Sequence, residues 1–558
     1  MEWNAAERVK PFRAQSSSEP HAASLSAALE AWRHVLGSDF VLTGESCVRY
    51  GDCTVASRRR IPAVLRPRNE MQVREVMKIA ARTNIRVYPI STGHNWGYGS
   101  ANPVIDDCVV VDLSLMSAIL DFDADLGTAK LQPGVTQQLL FEYLDRNKLP
   151  YLVPVTGAGP NCSLVGNALE RGYGITPYAD HFGAVVSLRA VLPNGDVYQS
   201  PLTETVGSSM RQTYKWGIGP YLDGLFSQGA FGIVTEMTIM LAPRPERAAV
   251  LFFEIRDRAR LERVVTVVRD LMQSLPGHIG GINLLNQIRV LSMMERFPAT
   301  EVVPGEAMPP ALIEAIGRRR NIPAWVGVGS IYGTRTMWRG LCRQIRRKLE
   351  PHCSRMTLFT GERIALLQHA AALLPGRLGR DARGRLKTLS GAYDLVTGRP
   401  SETALPLAYW RSGQRPTVGP LDPARDGCGL VWYAPLVPMT GSAVRGYVAM
   451  VEEICPRFGM DAPITLTTLS SRCFDSTVPL LFDRDKDRER AVACYRALWQ
   501  RGRELGFLPY RLNIDAMADL TKCDDSVFWG LVGTLQRAVD PKRIMAPGRY
   551  TPMRSADG

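Results

Sequence analysis

Two glycine-rich segments constrain the fold of this chain more than any other feature of its sequence. The first, YPISTGHNWGYGS from Tyr88 to Ser100, follows a short run typical of a β-strand and places three glycines around one of the chain's seven histidines. Glycine lets a backbone approach a ligand closely, and consecutive N–H groups in such a turn can bind a phosphate without a lysine. The glycines fall at positions 93, 97 and 99, so this segment is not a GxGxxG dinucleotide fingerprint.

The second segment, VPVTGAGPNCSLVGNALERGYGITPYADHFG from Val153 to Gly183, combines several glycines with one cysteine, Cys162. Two such loops in one α/β region can enclose an extended diphosphate. Taken separately, each loop has a simpler interpretation: an ordinary tight turn with a surface histidine, His94, in the first, and a buried structural thiol in the second. It is the pair of loops, rather than either alone, that predicts a site for a phosphate-bearing cofactor.

Strands and helices alternate around the first loop. IPAVLRP and IRVYPIS are typical of strands, and NEMQVREVMKIAARTN between them is typical of an amphipathic helix. VVSLRAVLPNGDVYQS predicts a hairpin with a tight turn at Asn194 and Gly195, and GIVTEMTIMLAP predicts a strand that ends at proline. Beyond Pro243 amphipathic helices such as LERVVTVVRDLMQSL and ALIEAIGRRR predominate. This change marks a second domain over residues 246–500.

Composition excludes several classes of protein. The 558 residues are 45% hydrophobic and 22% charged, which is typical of a soluble globular chain with more than one core. The net charge of +13 is dispersed and has no recognition motif, so we expect an anionic substrate or cofactor and no nucleic acid. Eleven cysteines without a CxxC pair, and histidines without HxH or HExxH spacing, predict neither a disulfide framework nor a metal site. A polar start, and no run of the ~20 apolar residues that a membrane span needs, predict a cytoplasmic protein.

The sequence resembles the vanillyl-alcohol oxidase and para-cresol methylhydroxylase family of flavoproteins. The resemblance runs through PISTGHNWGYGS, LQPGV, VGNALERGYGITPYADHFG, LPNGDVY, WGIGPYLDGLFSQGAFGIVT, GFLPYR and DPKRIMAPGRY. It implies an FAD-linked oxidase or dehydrogenase with an α+β fold. In that fold residues 1–245 and 501–558 form the FAD-binding domain, residues 246–500 form an α+β substrate-binding cap, and the flavin ring lies at the junction.

The matching motifs also imply the residues that bind FAD. The expected contacts are Pro89, Ile90, Ser91, Thr92, Gly93, Asn95, Gly97, Ser100, Pro154, Gly157, Gly159, Gly166, Asn167, Gly172, Gly174, Ile233 and Arg549. Asp180 and His181, in PYADHFG, are expected to be structural residues or cofactor contacts.

Two further residues match positions at which related flavoproteins bond the flavin covalently. In a doubly tethered branch, similar to berberine-bridge and oligosaccharide oxidases, a histidine follows the glycine of the first loop and a cysteine precedes a Val-Gly pair in the second. His94 and Cys162 stand at these positions, which implies bonds to the flavin 8α carbon and to C6. Where the phenol-oxidising branch commonly has a cap-side His or Tyr tether, this chain has Gly427, Cys428 and Gly429. The alternative is FAD held without a covalent bond, with His94 only hydrogen-bonded to it.

The resemblance further implies a phenol site. Tyr98, Tyr510 and Arg511 match the residues that hold the phenolic oxygen in the phenol-oxidising branch. A fixed arginine charge favours phenolate over phenol, and phenolate makes the benzylic C–H a better hydride donor. Alternatively, Tyr98 packs on the flavin and the Tyr-Arg pair forms a salt-bridged wall. Val155 and Thr156 stand where the family's oxidase member has an acidic residue near flavin N5, so the acid or base stays unassigned.

Three functions are compatible with these motifs. The first is FAD-dependent oxidation of a small aromatic molecule, a 4-alkylphenol or 4-hydroxybenzyl compound, through a quinone methide, with oxygen or another electron acceptor. The second is a doubly tethered oxidase of a bulky alcohol, sugar or natural-product intermediate. The third is a flavin subunit that passes electrons to a separate cytochrome, since the chain has no CxxCH heme motif. We expect no membrane partner, and a homodimer is an open alternative.

Overall fold

The computed structural model describes residues 19–55, 57–206, 210, 212–412, 415–416, 418–521 and 526–552. Residues 1–18, most of the polar start on which the sequence-based expectation of a cytoplasmic protein rests, lie outside them. Within the described ranges, no helix has both the length and the apolar character needed to cross a bilayer.

Two sheets form the part of the chain before residue 246. Their strands are β1 (Val41–Thr43), β2 (Ala63–Leu65), β3 (Val87–Ile90), β4 (Val109–Asp112), β5 (Ile119–Asp123), β6 (Thr128–Leu131), β7 (Val185–Val191), β8 (Val197–Gln199) and β9 (Ile233–Met240). The accompanying helices are α1 (Glu19–Leu36), α2 (Glu70–Thr83), α3 (Gln137–Arg146), α4 (Leu164–Leu169) and α5 (Pro201–Val206). One sheet has the order β1-β2-β4-β3, and the other, which is antiparallel, has the order β5-β6-β9-β7-β8.

Helix α2 shows why the β-α-β prediction is confirmed. Asn69 caps its start by accepting a hydrogen bond from the backbone N–H of Gln72 at 3.0 Å, as expected for an N-cap asparagine. The buried residues Val73, Val76, Met77 and Ala80 follow the helical repeat and pack into the core. The helix ends where Asn84 adopts a left-handed conformation. Strands β2, β4 and β3 beside it pair in parallel.

The predicted hairpin is also confirmed. Strands β7 and β8 pair antiparallel, and the turn between them contains Gly195 at a φ of +88°, which favours glycine.

One large antiparallel sheet organises the cap. Its strands are β10 (Arg247–Ile255), β11 (Ile279–Asn286), β12 (Trp325–Gly333), β13 (Arg355–Thr360), β14 (Gly429–Tyr433), β15 (Leu436–Pro438), β16 (Thr465–Thr468) and β17 (Cys473–Phe482). They run in the order β13-β10-β12-β11-β16-β17-β14, with β15 paired to β17. The helices are α6 (Leu261–Ser274), α7 (Gln287–Met294), α8 (Pro310–Arg320), α9 (Trp338–Leu349), α10 (Gly361–Ala372), α11 (Gly376–Val396), α12 (Gly441–Arg457) and α13 (Arg488–Glu504).

The two faces of this sheet have different surroundings. Apolar residues such as Leu284, Leu466 and Val478 share one core with residues of α6 and α12. Their neighbours in sequence point to the opposite face, because side chains alternate along a strand. That opposite face is polar at several positions and forms the roof of the cavity described below.

The last part of the chain returns to the first sheet. After α14 (Met517–Thr521) and α15 (Val527–Val539), the backbone lies beside β3: the Val87 N–H donates to the Ile544 carbonyl at 2.8 Å, and the Ala546 N–H donates to the Val87 carbonyl at 2.8 Å. We propose the same three-part division as the sequence predicts, with the second boundary after Glu504 rather than at residue 500, because α13 runs to that residue.

Candidate active site

One cavity of about 570 Å³ lies between the two glycine-rich loops and the polar face of the cap sheet. The first loop contributes Tyr88 to Trp96, Tyr98 and Ser100, and the second contributes residues on either side of α4. The roof contributes Asn283, Leu285, Arg289, Thr465, Thr467 and Thr477.

The first loop has the backbone donors that a diphosphate requires. Among hydrogen bonds between described residues, the backbone N–H groups from Ser91 to Trp96 have no acceptor. The N–H groups of Tyr98 and Ser100, by contrast, donate to the Asn95 carbonyl. The buried Ser100 hydroxyl also has no partner. A bound diphosphate would satisfy such orphaned donors, so the loop fits the phosphate portion of FAD.

The second loop presents Cys162 to the same cavity. Ser163, the next residue, caps α4 by accepting from the Gly166 N–H at 2.9 Å and donates to the Pro133 carbonyl at 2.6 Å. A Cβ on Gly166 would lie 2.9 Å from Ser91 Oγ, so glycine lets the two loops meet there. The Cys162 and His94 side chains therefore line one cavity although they are far apart in sequence.

The two tether candidates differ in reactivity. His94 Nδ1 lies 3.1 Å from the Asn161 carbonyl oxygen, which can only accept, so Nδ1 carries the proton and Nε2 carries the lone pair. Burial lowers the pKa of His94, which keeps the imidazole neutral and nucleophilic. Burial raises the pKa of Cys162 to about 11, although the Arg511 charge lowers it, so its thiol is mostly protonated at neutral pH.

Most residues predicted to bind FAD line the cavity, but Gly97, Pro154 and Gly159 do not. Gly97 instead packs against the cap, where a Cβ would lie 2.1 Å from the Trp432 ring. Its N–H donates to Thr54 Oγ1, within the first domain, at 2.7 Å. A Cβ on Gly159 would lie 3.0 Å from Leu405.

Asp180 and His181 have structural contacts. Asp180 accepts from the Gly183 N–H at 2.8 Å, and His181 Nδ1 lies 2.5 Å from Asn167 Oδ1. Burial lowers the pKa of His181 to about 4. The cap-side Cys428 is fully buried, and its Sγ lies 3.8 Å from Ser412 Oγ.

The structure brings Tyr98, Tyr510 and Arg511 together at one end of the cavity. The Arg511 guanidinium carbon lies 4.2 Å from the centre of the Tyr98 ring. The Tyr510 ring lies 5.9 Å from the ring of Tyr173, a residue that the sequence did not single out. Arg511 thus contacts Tyr98, Tyr173 lies beside Tyr510, and all four residues line the cavity.

Glu170 fixes the arginines of this cluster. Its carboxylate forms an ion pair with Arg511 at 3.1 Å and accepts a hydrogen bond from Arg549. Arg549, which the C-terminal segment supplies, also donates to the Tyr88 hydroxyl at 3.1 Å. Burial raises the pKa of Glu170, but the two guanidinium groups more than offset this and lower it overall. Two arginines share the Glu170 carboxylate, so these three groups carry a net positive charge, which the nearby Asp475 offsets when it is ionised.

Asp475 is the buried acid of the cluster, and it lies in β17 of the cap. It accepts a hydrogen bond from the Tyr173 hydroxyl, while its second oxygen has no partner. Burial raises the pKa of Asp475 to about 7, against the lowering effects of Tyr173 and of Arg511. Such a carboxyl can exchange a proton near neutral pH.

Sequence reasoning missed Glu170, Tyr173, Asp475 and Arg289. Glu170 and Tyr173 lie inside the second glycine-rich segment, where a polar or aromatic side chain next to glycines was an available signal. Asp475 and Arg289 lie in the cap, and no local pattern marks either of them.

Comparisons with known proteins agree with this geometry. Residues 61–200 match the family described as FAD binding domain. The chain is 37% identical over 533 residues to 1'-carboxy-chondrochloren decarboxylase of Chondromyces crocatus, covering 94% of this chain and 97% of that one. It is 28% identical over 534 residues to the 4-cresol dehydrogenase [hydroxylating] flavoprotein subunit of Pseudomonas putida, covering 94% of each.

Solved structures give the same result. A crystal structure of p-cresol methylhydroxylase with substrate bound superposes with a TM-score of 0.84 at 26% identity, over 95% of this chain and 97% of that one. A 4-ethylphenol oxidase from Gulosibacter chungangensis shares the fold at the same TM-score of 0.84 and 21% identity, over 96% of this chain and 98% of that one. The chain therefore belongs to the vanillyl-alcohol oxidase and para-cresol methylhydroxylase family and is an FAD-linked oxidase or dehydrogenase.

Proposed function

We propose that the protein oxidises a para-substituted phenol at its benzylic carbon. The observation that carries the proposal is the buried cluster of Tyr98, Tyr173, Tyr510 and Arg511, which fits a phenolic oxygen. The hydroxyls of Tyr98 and Tyr510 can donate hydrogen bonds to that oxygen, whereas Tyr173, which donates to Asp475, can accept one from the phenol. The guanidinium charge favours the deprotonated form of the phenol.

The phenolate form explains how this site promotes oxidation. Its negative charge delocalises toward the para carbon, which makes the benzylic C–H bond a better hydride donor. FAD, when bound, supplies the two-electron acceptor for this hydride. The substrate becomes a para-quinone methide, and the positive cluster around Arg511 holds its oxygen in place through the reaction.

Asp475 is the residue we propose as the proton acceptor. It is linked to the cluster through the Tyr173 hydroxyl, so a proton leaving the phenol can pass along Tyr173 to the carboxylate. The pKa of about 7 suits this role, because the group is then partly ionised at neutral pH. Val155, buried, and Thr156, which accepts a hydrogen bond from Gln137 at 2.9 Å, offer no such proton acceptor.

We propose that FAD is held by the unpaired N–H groups of the first loop and by a covalent bond to His94, with Cys162 as a second attachment. The neutral imidazole of His94, with its lone pair on Nε2, supports the first bond. The position of Cys162 on the same cavity supports the second, although its thiol must first lose a proton.

A second candidate function is oxidative decarboxylation. It is favoured by the relative named as a decarboxylase and by an unpaired arginine, Arg289, on the cavity roof. If the carbon next to the benzylic carbon bears a carboxylate, the quinone methide can lose CO₂. The electron pair of the broken C–C bond then forms a new C=C bond and restores the aromatic phenolate, so no further oxidant is needed.

The acceptor that reoxidises the cofactor is oxygen or a partner protein. One relative is named as a flavoprotein subunit, which supports a separate electron-accepting chain such as a cytochrome. Slow reoxidation by air together with fast reoxidation by a cytochrome would identify a partner protein as the acceptor.

The function is tested by anaerobic reduction of the flavoprotein with a panel of 4-alkylphenols and 4-hydroxybenzyl alcohol. We expect Tyr510→Phe to slow reduction by about one to two decades, because a hydrogen bond to a charged oxygen contributes about 1.5 to 3 kcal/mol. Tyr214→Phe, at an exposed tyrosine, is the matched control and is expected to have no effect. Reduction by a bulky alcohol or a sugar, with none by the phenols, would favour the rival oxidase.

A further inference from the structure

A buried arginine on the cavity roof has no ionic partner among the described residues. Arg289 lies in the first turn of α7, is 8% exposed and lines the cavity. Its Nε donates to Thr465 Oγ1 at 2.9 Å, whereas its buried Nη1 has no hydrogen-bond partner. The side chain is thus anchored on one nitrogen and unsatisfied on another.

Other buried arginines of the described chain are compensated. Arg411 is paired with Asp461, and Arg511 and Arg549 are both paired with Glu170. No described carboxylate pairs with Arg289, and burial alone lowers its pKa to about 10, so it stays protonated at neutral pH. Burying a charge without an ionic partner is strongly unfavourable, so Arg289 is suited to a ligand that brings a negative charge.

The register of the cap sheet locates Arg289 relative to the phenol cluster. Thr467 lies opposite Asp475 on one side and Asn283 on the other. Thr465, the partner of Arg289, lies two residues farther along the same strand face, or about 7 Å. A ligand that has its phenol oxygen near Tyr173 and Asp475, and its para substituent along this strand face, would bring that substituent to Arg289.

A second unsatisfied polar group lies on this path. The buried Asn283 Oδ1 has no hydrogen-bond partner, and the residue lines the cavity. An amide can present either its oxygen or its nitrogen, so it can donate to a carboxylate as well as accept from a hydroxyl.

We propose that Arg289 and Thr465, with Asn283 beside them, form a carboxylate subsite, and that the substrate is a 4-hydroxyphenyl compound with a carboxylate beyond its benzylic carbon. This inference rests on the proposed phenol oxidation and specifies its substrate class. Arginine suits the role because its planar fork binds both oxygens of a carboxylate.

The test compares 3-(4-hydroxyphenyl)propanoate with its methyl ester, which differ at the far end in charge and by one methyl group. We expect the native protein to have a kcat/KM for the acid about ten- to a hundredfold above that for the ester, the effect of a charged hydrogen bond. Arg289→Met should bring this ratio close to one. Arg289→Lys, which keeps the charge without the fork, should retain part of the preference, and Arg319→Met, at an exposed arginine of α8, should retain all of it.

Three results would overturn the proposal: no preference for the acid in the native protein, an equal loss on acid and ester in Arg289→Met, or a changed flavin content or spectrum with the preference intact. The last result would assign Arg289 to the cofactor instead of the substrate.

Binding without turnover separates this proposal from the function on which it rests. 4-Hydroxycinnamate and its methyl ester have no sp³ benzylic hydrogen, and their binding is measured by the change in flavin absorbance. If the native protein binds the acid more tightly than the ester, and Arg289→Met does not, the subsite is supported. This holds even if neither propanoate compound is oxidised, a result that would contradict only the proposed phenol oxidation. Equal binding of acid and ester, together with oxidation of simple phenols, overturns the subsite alone.

Discussion

The proposed role of Asp475 predicts how the reaction responds to pH. We expect the rate of anaerobic reduction by a phenol to rise with pH through about 7, because the carboxyl must be ionised to accept a proton through Tyr173. Asp475→Asn should slow reduction and remove this ionisation from the profile. Stopped-flow measurements at a series of pH values check both, and an unchanged profile in the variant would assign the ionisation to another group.

The raised pKa of Asp475 also affects stability, which is expected to fall with pH whereas the reduction rate rises. Asp475 has a higher pKa in the folded chain than the ordinary value of about 4, so the folded state keeps this proton longer. Its contribution to the free energy of unfolding is therefore full below pH about 4 and declines as pH rises to about 7. In the flavin-free protein, Asp475→Asn should flatten the fall in Tm over this range, whereas an equally steep fall in the variant would contradict the shift.

The proposed flavin tethers give a further prediction at single residues. The denatured native protein should stay yellow after acid precipitation, because the proposed bond to His94 would survive denaturation. Cys162→Ala should keep its flavin and shift its absorption, since a C6 thioether places sulfur directly on the ring system. His94→Ala should incorporate flavin poorly, and the double variant should release all of it. If the Cys162→Ala spectrum equals that of the native protein, Cys162 is not a tether.

At the scale of elements, Gly97 controls how the first loop docks on the cap. Its φ is +77°, and a Cβ would lie 2.1 Å from the Trp432 ring of β14. We expect Gly97→Ala to lower the free energy of unfolding by about 1–2 kcal/mol from backbone strain and by about 1–3 kcal/mol from overpacking. Gly506→Ala is the matched control, because its φ is +84° and open space surrounds it, so only the strain applies. Denaturant unfolding measures the free energy of unfolding of both variants. Equal losses in Gly97→Ala and Gly506→Ala would show that the Trp432 ring moves aside without a free-energy penalty.

At the scale of the whole molecule, the C-terminal segment is needed to complete the first domain. It adds backbone hydrogen bonds beside β3, and it brings Arg549 to the buried Glu170. A chain that ends at Val539 should aggregate or lose flavin, because it exposes the β3 edge and leaves Glu170 with one arginine. A chain that ends at Pro552 keeps all these contacts and should fold and load flavin normally. Flavin content and Tm are the measurements that test this prediction. Normal flavin loading in the shorter chain would contradict the role of the C-terminal segment.

The sequence by itself determined the features that depend on local pattern. Helix α2 with its Asn69 cap, the β7-β8 hairpin and the two glycine-rich loops follow from residues close together in the chain, since caps, turns and periodicity are local properties. The family resemblance added the fold and the identity of Tyr98, Tyr510 and Arg511. Most strands of the cap were not predicted, because the amphipathic helices between them give the stronger pattern.

Only the tertiary structure decided which charged and polar groups meet in the cavity. Tyr173 and Asp475 are 302 residues apart, and Arg289 and Thr465 are 176 residues apart, so no local pattern relates either pair. Whether a buried charge is compensated depends on what surrounds it in space. Glu170 compensates two arginines, and no carboxylate in the described ranges compensates Arg289, although all are ordinary charged residues in the sequence. Desolvation and pairing are properties of the folded environment, which is why the proposed roles of Asp475 and Arg289 follow from the fold alone.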